Sequence, residues 1–212
     1  MRAVQVVAGI GSVGLLAASL VMAAPAIARD TVNGTGGDDH LLGTPFADTI
    51  RGFGGRDRVY ALAGADVVGG GSGSDGIFAG RGADTVRGGS TGDGLIGGQG
   101  ADTLYGEAGR DGISGGAGSD VIFGGTLGDA LILDGIGSDT IHSGRGNDTV
   151  DLDKDGTPDT VTCGAGHDVV WGATSENTVA ANCEVVHVKT PSCRSLPQQV
   201  LAPLREAARC NP

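Results

Sequence analysis

Between residues 39 and 179 an aliphatic side chain returns on a fixed beat, in a background of glycine and short polar residues. Leu41, Ile50, Val59, Val68, Ile77, Val86, Leu95, Leu104, Ile113, Ile122 and Leu131 stand nine residues apart without a slip. Ile141, Val150, Val161, Val170 and Val179 continue the series after phase shifts of one and then two residues. Two positions before each aliphatic residue is an acid: Asp39, Asp48, Asp57, Asp66, Asp75, Asp84, Asp93, Asp102, Asp111, Asp120, Asp129, Asp139, Asp148, Asp159 and Asp168, with Asn177 at the last step. Such self-similarity at a fixed short period is the mark of a solenoid. The unit reads G-G-x-G-x-D-x-U-x, with U aliphatic, and GGSGSDGIF (70–78), GGQGADTLY (97–105) and GGAGSDVIF (115–123) match it at every specified position. Its glycine-rich part predicts a turn, because glycine reaches positive φ and admits close backbone approach. The x-U-x part predicts a short strand with U inward and its neighbours outward. One such strand buries nothing alone. Copies stacked about 4.8 Å apart form a ladder of U residues, so the repeats stabilise one another.

Composition sets limits on this picture. The chain has 212 residues, 42 of them glycine, 3% aromatic residues and a formal charge of -11. A large aromatic core is excluded, and without the period the sequence would read as low-complexity disorder, since too little apolar surface is available to offset the entropy of ordering. The acidic balance disfavours nucleic acid and anionic membrane surfaces as partners and favours cations.

The nonapeptide resembles the RTX family, the repeat-in-toxin or haemolysin-type calcium-binding repeats, over roughly residues 34–171. The resemblance implies an all-β, right-handed parallel β-roll in which two nonapeptides make one coil. Turns on one side are then 18 residues apart, so Asp39, Asp57, Asp75, Asp93, Asp111 and Asp129 line one edge and Asp48, Asp66, Asp84, Asp102 and Asp120 the other. It also implies several Ca²⁺ ions between successive turns, held by carboxylates and backbone carbonyls. The expected metal-site residues are these eleven aspartates with Asp139 and Asp148, and the turn glycines Gly71, Gly73, Gly80, Gly82, Gly89, Gly98, Gly100, Gly109, Gly116 and Gly118. Stacked carboxylates repel when no ion is present, so metal binding and folding are expected to be coupled. The turns ending at Asp75, Asp84, Asp102, Asp111 and Asp120 keep the fourth-position glycine, whereas Phe46, Thr91 and Leu127 replace it elsewhere. The strongest ladder is therefore expected over 70–123. GTPFAD and ALAGAD read as degraded copies with a structural role.

The ends differ in composition. Arg2, an apolar run over residues 3–23 and Ala26-Ile27-Ala28 read as a secretory signal peptide covering 1–28, with no membrane insertion after cleavage. The competing reading is an uncleaved membrane anchor. Residues 29–171 form the repeat array and 172–212 a C-terminal cap that closes the open end of the roll. All four cysteines, Cys163, Cys183, Cys193 and Cys210, fall late in a chain read as exported, where disulfides persist. Of three possible pairings the sequential one, Cys163 with Cys183 and Cys193 with Cys210, closes two short loops and is preferred.

DLDKDGTPD (151–159) resembles the start of an EF-hand loop, with Asp151, Asp153, Asp155 and Gly156 in place, but its twelfth position is Thr162 rather than Glu. Its alternatives are a further ion site and a solvated acidic turn. GSGSDG (71–76) fits a dinucleotide fingerprint, and Ser90 and Ser114 fit G-x-S-x-G, as by-products of glycine density without the helix that either motif requires. The sequence thus predicts an extracellular calcium-binding repeat protein rather than an enzyme. The alternative is a cell-surface or matrix protein with calcium as structural cement and a cell-wall or matrix partner.

Overall fold

A computed structural model describes residues 7–8, 30–133, 136–152 and 156–187. These residues wind into a parallel solenoid of two sheets, with no helix among them. The first sheet takes Asp39–Leu42, Arg58–Tyr60, Gly76–Arg81, Gly94–Gln99, Gly112–Ala117, Ala130–Leu133, Thr149–Leu152, Val169–Trp171 and Val185–His187. The second takes Thr31–Asn33, Thr49–Gly54, Val67–Ser72, Thr85–Ser90, Thr103–Ala108, Val121–Thr126, Thr140–Arg145, Thr160–Thr162 and Thr178–Val179. Consecutive strands alternate between the sheets, so each coil is one strand of each. Val7–Ala8 adds an antiparallel pair at Asp39–His40 on the edge of the first sheet.

Register follows the aliphatic ladder. Leu104 pairs with Val86 and Ile122 in one sheet, and Ile113 with Leu95 and Leu131 in the other. The two phase shifts leave it intact: Ile122 pairs with Ile141 and Ile141 with Val161, while Leu131 pairs with Val150 and Val150 with Val170. A one-residue slip would turn the row outward, so burial of U holds the register and the extra residues fall between strands. The row from Val32 to Val170 is buried, contributing about 1.5–3 kcal/mol per side chain. Pairing runs past residue 171, because Val185–His187 continues from Val169–Trp171.

The strands are longer than x-U-x. Gly76–Arg81 and Thr103–Ala108 have six residues and run through the first three positions of the next unit. A second inward row therefore lies two residues after U, filled by glycine or by Ala61, Ala79, Ser143, Leu152 and Cys163. Glycine reads as a strand breaker from sequence, yet here it is what a close backbone approach demands.

The Cys163–Cys183 disulfide forms as the sequential pairing expects. Cys193 and Cys210, most of the cap segment, and Asp153 and Asp155 of the EF-hand-like stretch lie outside the described residues, as does the signal-peptide segment apart from Val7–Ala8.

Candidate metal-binding turns

Each turn aspartate is buried at the end of a turn, immediately before or at the start of the following strand, and from Asp48 onward each accepts a backbone N–H from the coil before it. The Oδ1 of Asp57 accepts the backbone N–H of Asp39 at 2.9 Å, Asp75 that of Asp57 at 2.8 Å, Asp93 that of Asp75 at 2.8 Å and Asp111 that of Asp93 at 2.8 Å. The column continues through Asp129, Asp148 and Asp168. The second column links Asp48, Asp66, Asp84, Asp102, Asp120, Asp139 and Asp159 in the same way. The two edges expected from the 18-residue offset are therefore present, and every aspartate named from sequence stands in one or the other. Asp159 and Asp168 join them.

One carboxylate oxygen is used by this ladder and the other is left over. In Asp57, Asp66, Asp75, Asp84, Asp93, Asp102, Asp111, Asp120, Asp129, Asp148 and Asp168 the Oδ2 is buried and has no hydrogen-bond partner among the described residues. A buried polar group without a partner is costly, and a charged one more so. Burial drives the carboxyls upward, partly offset by the N–H bond from the preceding coil and reinforced by the like charges of column neighbours. Asp66 and Asp75 are pushed up to about 6, and Asp93, Asp102 and Asp129 to about 7. Asp57, Asp84, Asp111, Asp120 and Asp148 are raised as well, with burial the largest cause. Neighbouring carboxylates one coil apart, at about 4.8 Å, repel by roughly 3 kcal/mol at an effective dielectric near 20.

Glycine shapes the space around that oxygen. A Cβ on Gly97, the first residue of its turn, would lie 2.6 Å from Asp102 Oδ2 and 2.5 Å from the carbonyl oxygen of Gly115 in the next coil. Gly52, Gly70, Gly88 and Gly106 repeat the arrangement, with Asp57, Asp75, Asp93 and Asp111 as their carboxylates. In these turns the carboxylate oxygen and a carbonyl oxygen thus converge on a point that glycine leaves open, while Ala61, Ala79, Ser143 and Cys163 hold the same place before Asp66, Asp84, Asp148 and Asp168. These first-position glycines were not among the residues predicted from sequence; their place in the period was the available signal.

The predicted glycines have a different task. Gly71, Gly80, Gly89, Gly98 and Gly116 at the second position, and Gly73, Gly82, Gly100, Gly109 and Gly118 at the fourth, all have positive φ and lie against a carbonyl one coil earlier. Among the described residues five other than glycine take the same conformation at these two positions: Phe53, Leu62, Thr91, Glu107 and Leu127. The turn backbone is thus held by the neighbouring coils even where a side chain costs roughly 1–2 kcal/mol. Asp66, Asp93 and Asp129, whose turns depart from the consensus, keep the same orphaned oxygen as Asp102.

Hard oxygen donors, one anionic and the others carbonyl, suit Ca²⁺. Among the described residues no three His, Cys, Asp or Glu side chains converge, so the candidate donor set is one carboxylate per turn with backbone oxygens. A profile described as the RTX calcium-binding nonapeptide repeat matches residues 33–68, 63–95, 87–122, 96–131 and 124–156. The chain belongs to the RTX calcium-binding repeat family. A search of the curated proteins found no match. In this RTX chain Ser114 sits in mid-strand, paired with Ile96 and Ile132, and Ser90 ends a strand; neither occupies the strand-to-helix elbow of a hydrolase.

Proposed function

We propose that this RTX chain is an extracellular calcium-binding protein whose roll forms when Ca²⁺ enters the turns after export. The carrying observation is the row of buried Asp Oδ2 atoms without partners among the described residues, with an oxygen-lined opening that glycine keeps free beside those of Asp57, Asp75, Asp93, Asp102, Asp111 and Asp129. A divalent cation there neutralises the column and gives each carboxylate the partner it lacks. The ligand set is rich in carbonyls, which favours the larger Ca²⁺ over Mg²⁺, whose octahedral shell is lost reluctantly. Calorimetric titration of the purified chain tests this: several Ca²⁺ ions bound with little competition from Mg²⁺ supports the reading, and no saturable Ca²⁺ binding opposes it.

A second, compatible reading is that the outer face of the roll engages wall or matrix material. Leu42, Tyr60, Phe78 and Ile96 form an exposed ribbon on the first sheet, with Tyr60 and Phe78 stacked at 5.0 Å between ring centroids. Retention of the chain on insoluble polysaccharide, lost in a Tyr60→Ala/Phe78→Ala variant that still binds calcium, is the outcome this reading expects.

A further inference from the structure

We propose that the ion ladder is closed at its N-terminal end, and at the C-terminal end of its second column, by turns in which threonine and asparagine donors take the place of the cation, so that Asp39, Asp48 and Asp159 hold no calcium. The inference rests on the reading of the interior turns as calcium sites.

At the N-terminal end the oxygen that is orphaned in the interior is fully engaged. Asp48 Oδ2 accepts the backbone N–H of Thr44 at 2.6 Å and its hydroxyl at 3.0 Å. Asp39 Oδ2 accepts the N–H of Thr35 at 2.6 Å and its hydroxyl at 2.9 Å. These are the same atoms that face the turn elsewhere, since a Cβ on Gly34 or Gly43 would lie 2.9 Å from Asp39 Oδ2 or 2.8 Å from Asp48 Oδ2. Each threonine hydroxyl also accepts an N–H two residues on, from Gly37 at 3.2 Å and Phe46 at 3.3 Å, which fixes its orientation. Asp39 Oδ1, without a partner among the described residues, is the atom that in later turns accepts an N–H from the preceding coil.

The sequence difference is one position in the turn of Asp39; in that of Asp48, Phe46 also replaces the fourth glycine. Thr35 and Thr44 stand at the second place of the turn, where interior turns carry residues with positive φ, and neither threonine adopts it. A β-branched residue resists that region. The preceding strands, Thr31–Asn33 and Asp39–Leu42, stop short of the threonine, so its N–H turns to the carboxylate instead of the sheet. Two donors on a carboxylate present their positive ends where a cation would stand, and charge-assisted bonds of this kind are among the stronger ones.

The C-terminal end of the second column uses the same device with a neutral group. Asn177 follows Asp159 where an aspartate is due, and its amide Nδ2 donates to Asp159 Oδ2 at 2.7 Å. Its own Oδ1 accepts the N–H and the hydroxyl of Thr174, both at 2.7 Å, and the Thr174 hydroxyl accepts the Glu176 N–H at 3.3 Å. Three turns at the two ends thus share one hydrogen-bonded arrangement.

Equilibrium dialysis of the full chain against calcium alone, with far-UV circular dichroism at saturating calcium to confirm folding, tests the assignment. Asp39→Asn and Asp48→Asn are expected to bind as many ions as the wild type, and Asp84→Asn and Asp102→Asn at least one fewer. Thr35→Gly, which restores the G-G-x-G-x-D turn, is expected to gain one ion. Loss of an ion in Asp48→Asn equal to that in Asp102→Asn, or an unchanged count in Thr35→Gly, overturns the inference. A wild-type chain that binds no calcium overturns the calcium reading itself, and this inference with it.

Discussion

Asp102 Oδ1 accepts the backbone N–H of Asp84 at 2.8 Å across one coil, while Oδ2 of the same carboxylate is buried without a partner among the described residues. One side chain therefore performs two separable tasks, tying coils together and presenting a charge. Asp102→Asn keeps an acceptor for the Asp84 N–H and removes the charge. In chelator it should be no less stable than the wild type, yet it should require several-fold more calcium to fold. Asp102→Ala removes the acceptor as well and should lose a further ~1–3 kcal/mol in saturating calcium, read from urea unfolding.

The same carboxylates set a pH dependence. Their folded values, about 6 for Asp66 and Asp75 and about 7 for Asp93, Asp102 and Asp129, lie above the unfolded value near 4. Folding of the metal-free chain therefore takes up protons. That contribution is complete below about pH 4 and is lost as pH rises through about 6 to 7. In chelator, β-structure should increase on acidification from pH 8 to 5, protons standing in for calcium. Calcium affinity should fall over the same range. A chelated chain whose circular dichroism is flat between pH 8 and 5 contradicts this account.

Two glycines close in sequence should respond oppositely to alanine. A Cβ on Gly100 would overlap the Gly82 carbonyl in a backbone of positive φ, and Gly100→Ala should cost about 2–4 kcal/mol. Gly112 has nothing within 4 Å of a Cβ, and Gly112→Ala should stay within about 1 kcal/mol, on the stabilising side. Thermal melts in saturating calcium compare them directly.

The beat of nine made the ladder legible, because period and burial require the same residues: Leu104 and Ile113 are inward for the reason the sequence suggests. The two aspartate columns followed from the 18-residue offset. Less was visible where glycine was read only as turn. Gly97 and Gly106 lie within strands, and their smallness serves the oxygen five residues on rather than a bend. The conformations of Phe53 and Glu107 were hidden because neighbouring coils impose them against local preference. Thr35 and Thr44 look like lapses in a consensus, and only their contacts show that they meet the need the consensus leaves open.

The Cys163–Cys183 bridge joins residues 20 apart and should contribute about 3 kcal/mol through loop entropy. In a solenoid each coil depends on its neighbours, so reduction should act locally. Amides of Val169–Trp171 and Thr178–Val179 should exchange faster in reductant, with Thr103–Ala108 unchanged, as followed by hydrogen exchange with mass spectrometry. Uniform loss of protection along the chain would contradict a local role.

The most direct test of the coupling between ion and fold is far-UV circular dichroism of the purified chain, stripped of metal at pH 7.5 and titrated with calcium to several millimolar. The account predicts a weakly structured starting state and a cooperative gain of β-signal that chelator reverses. A spectrum already fully β in chelator and unchanged by calcium, or one that never gains β-signal, contradicts it.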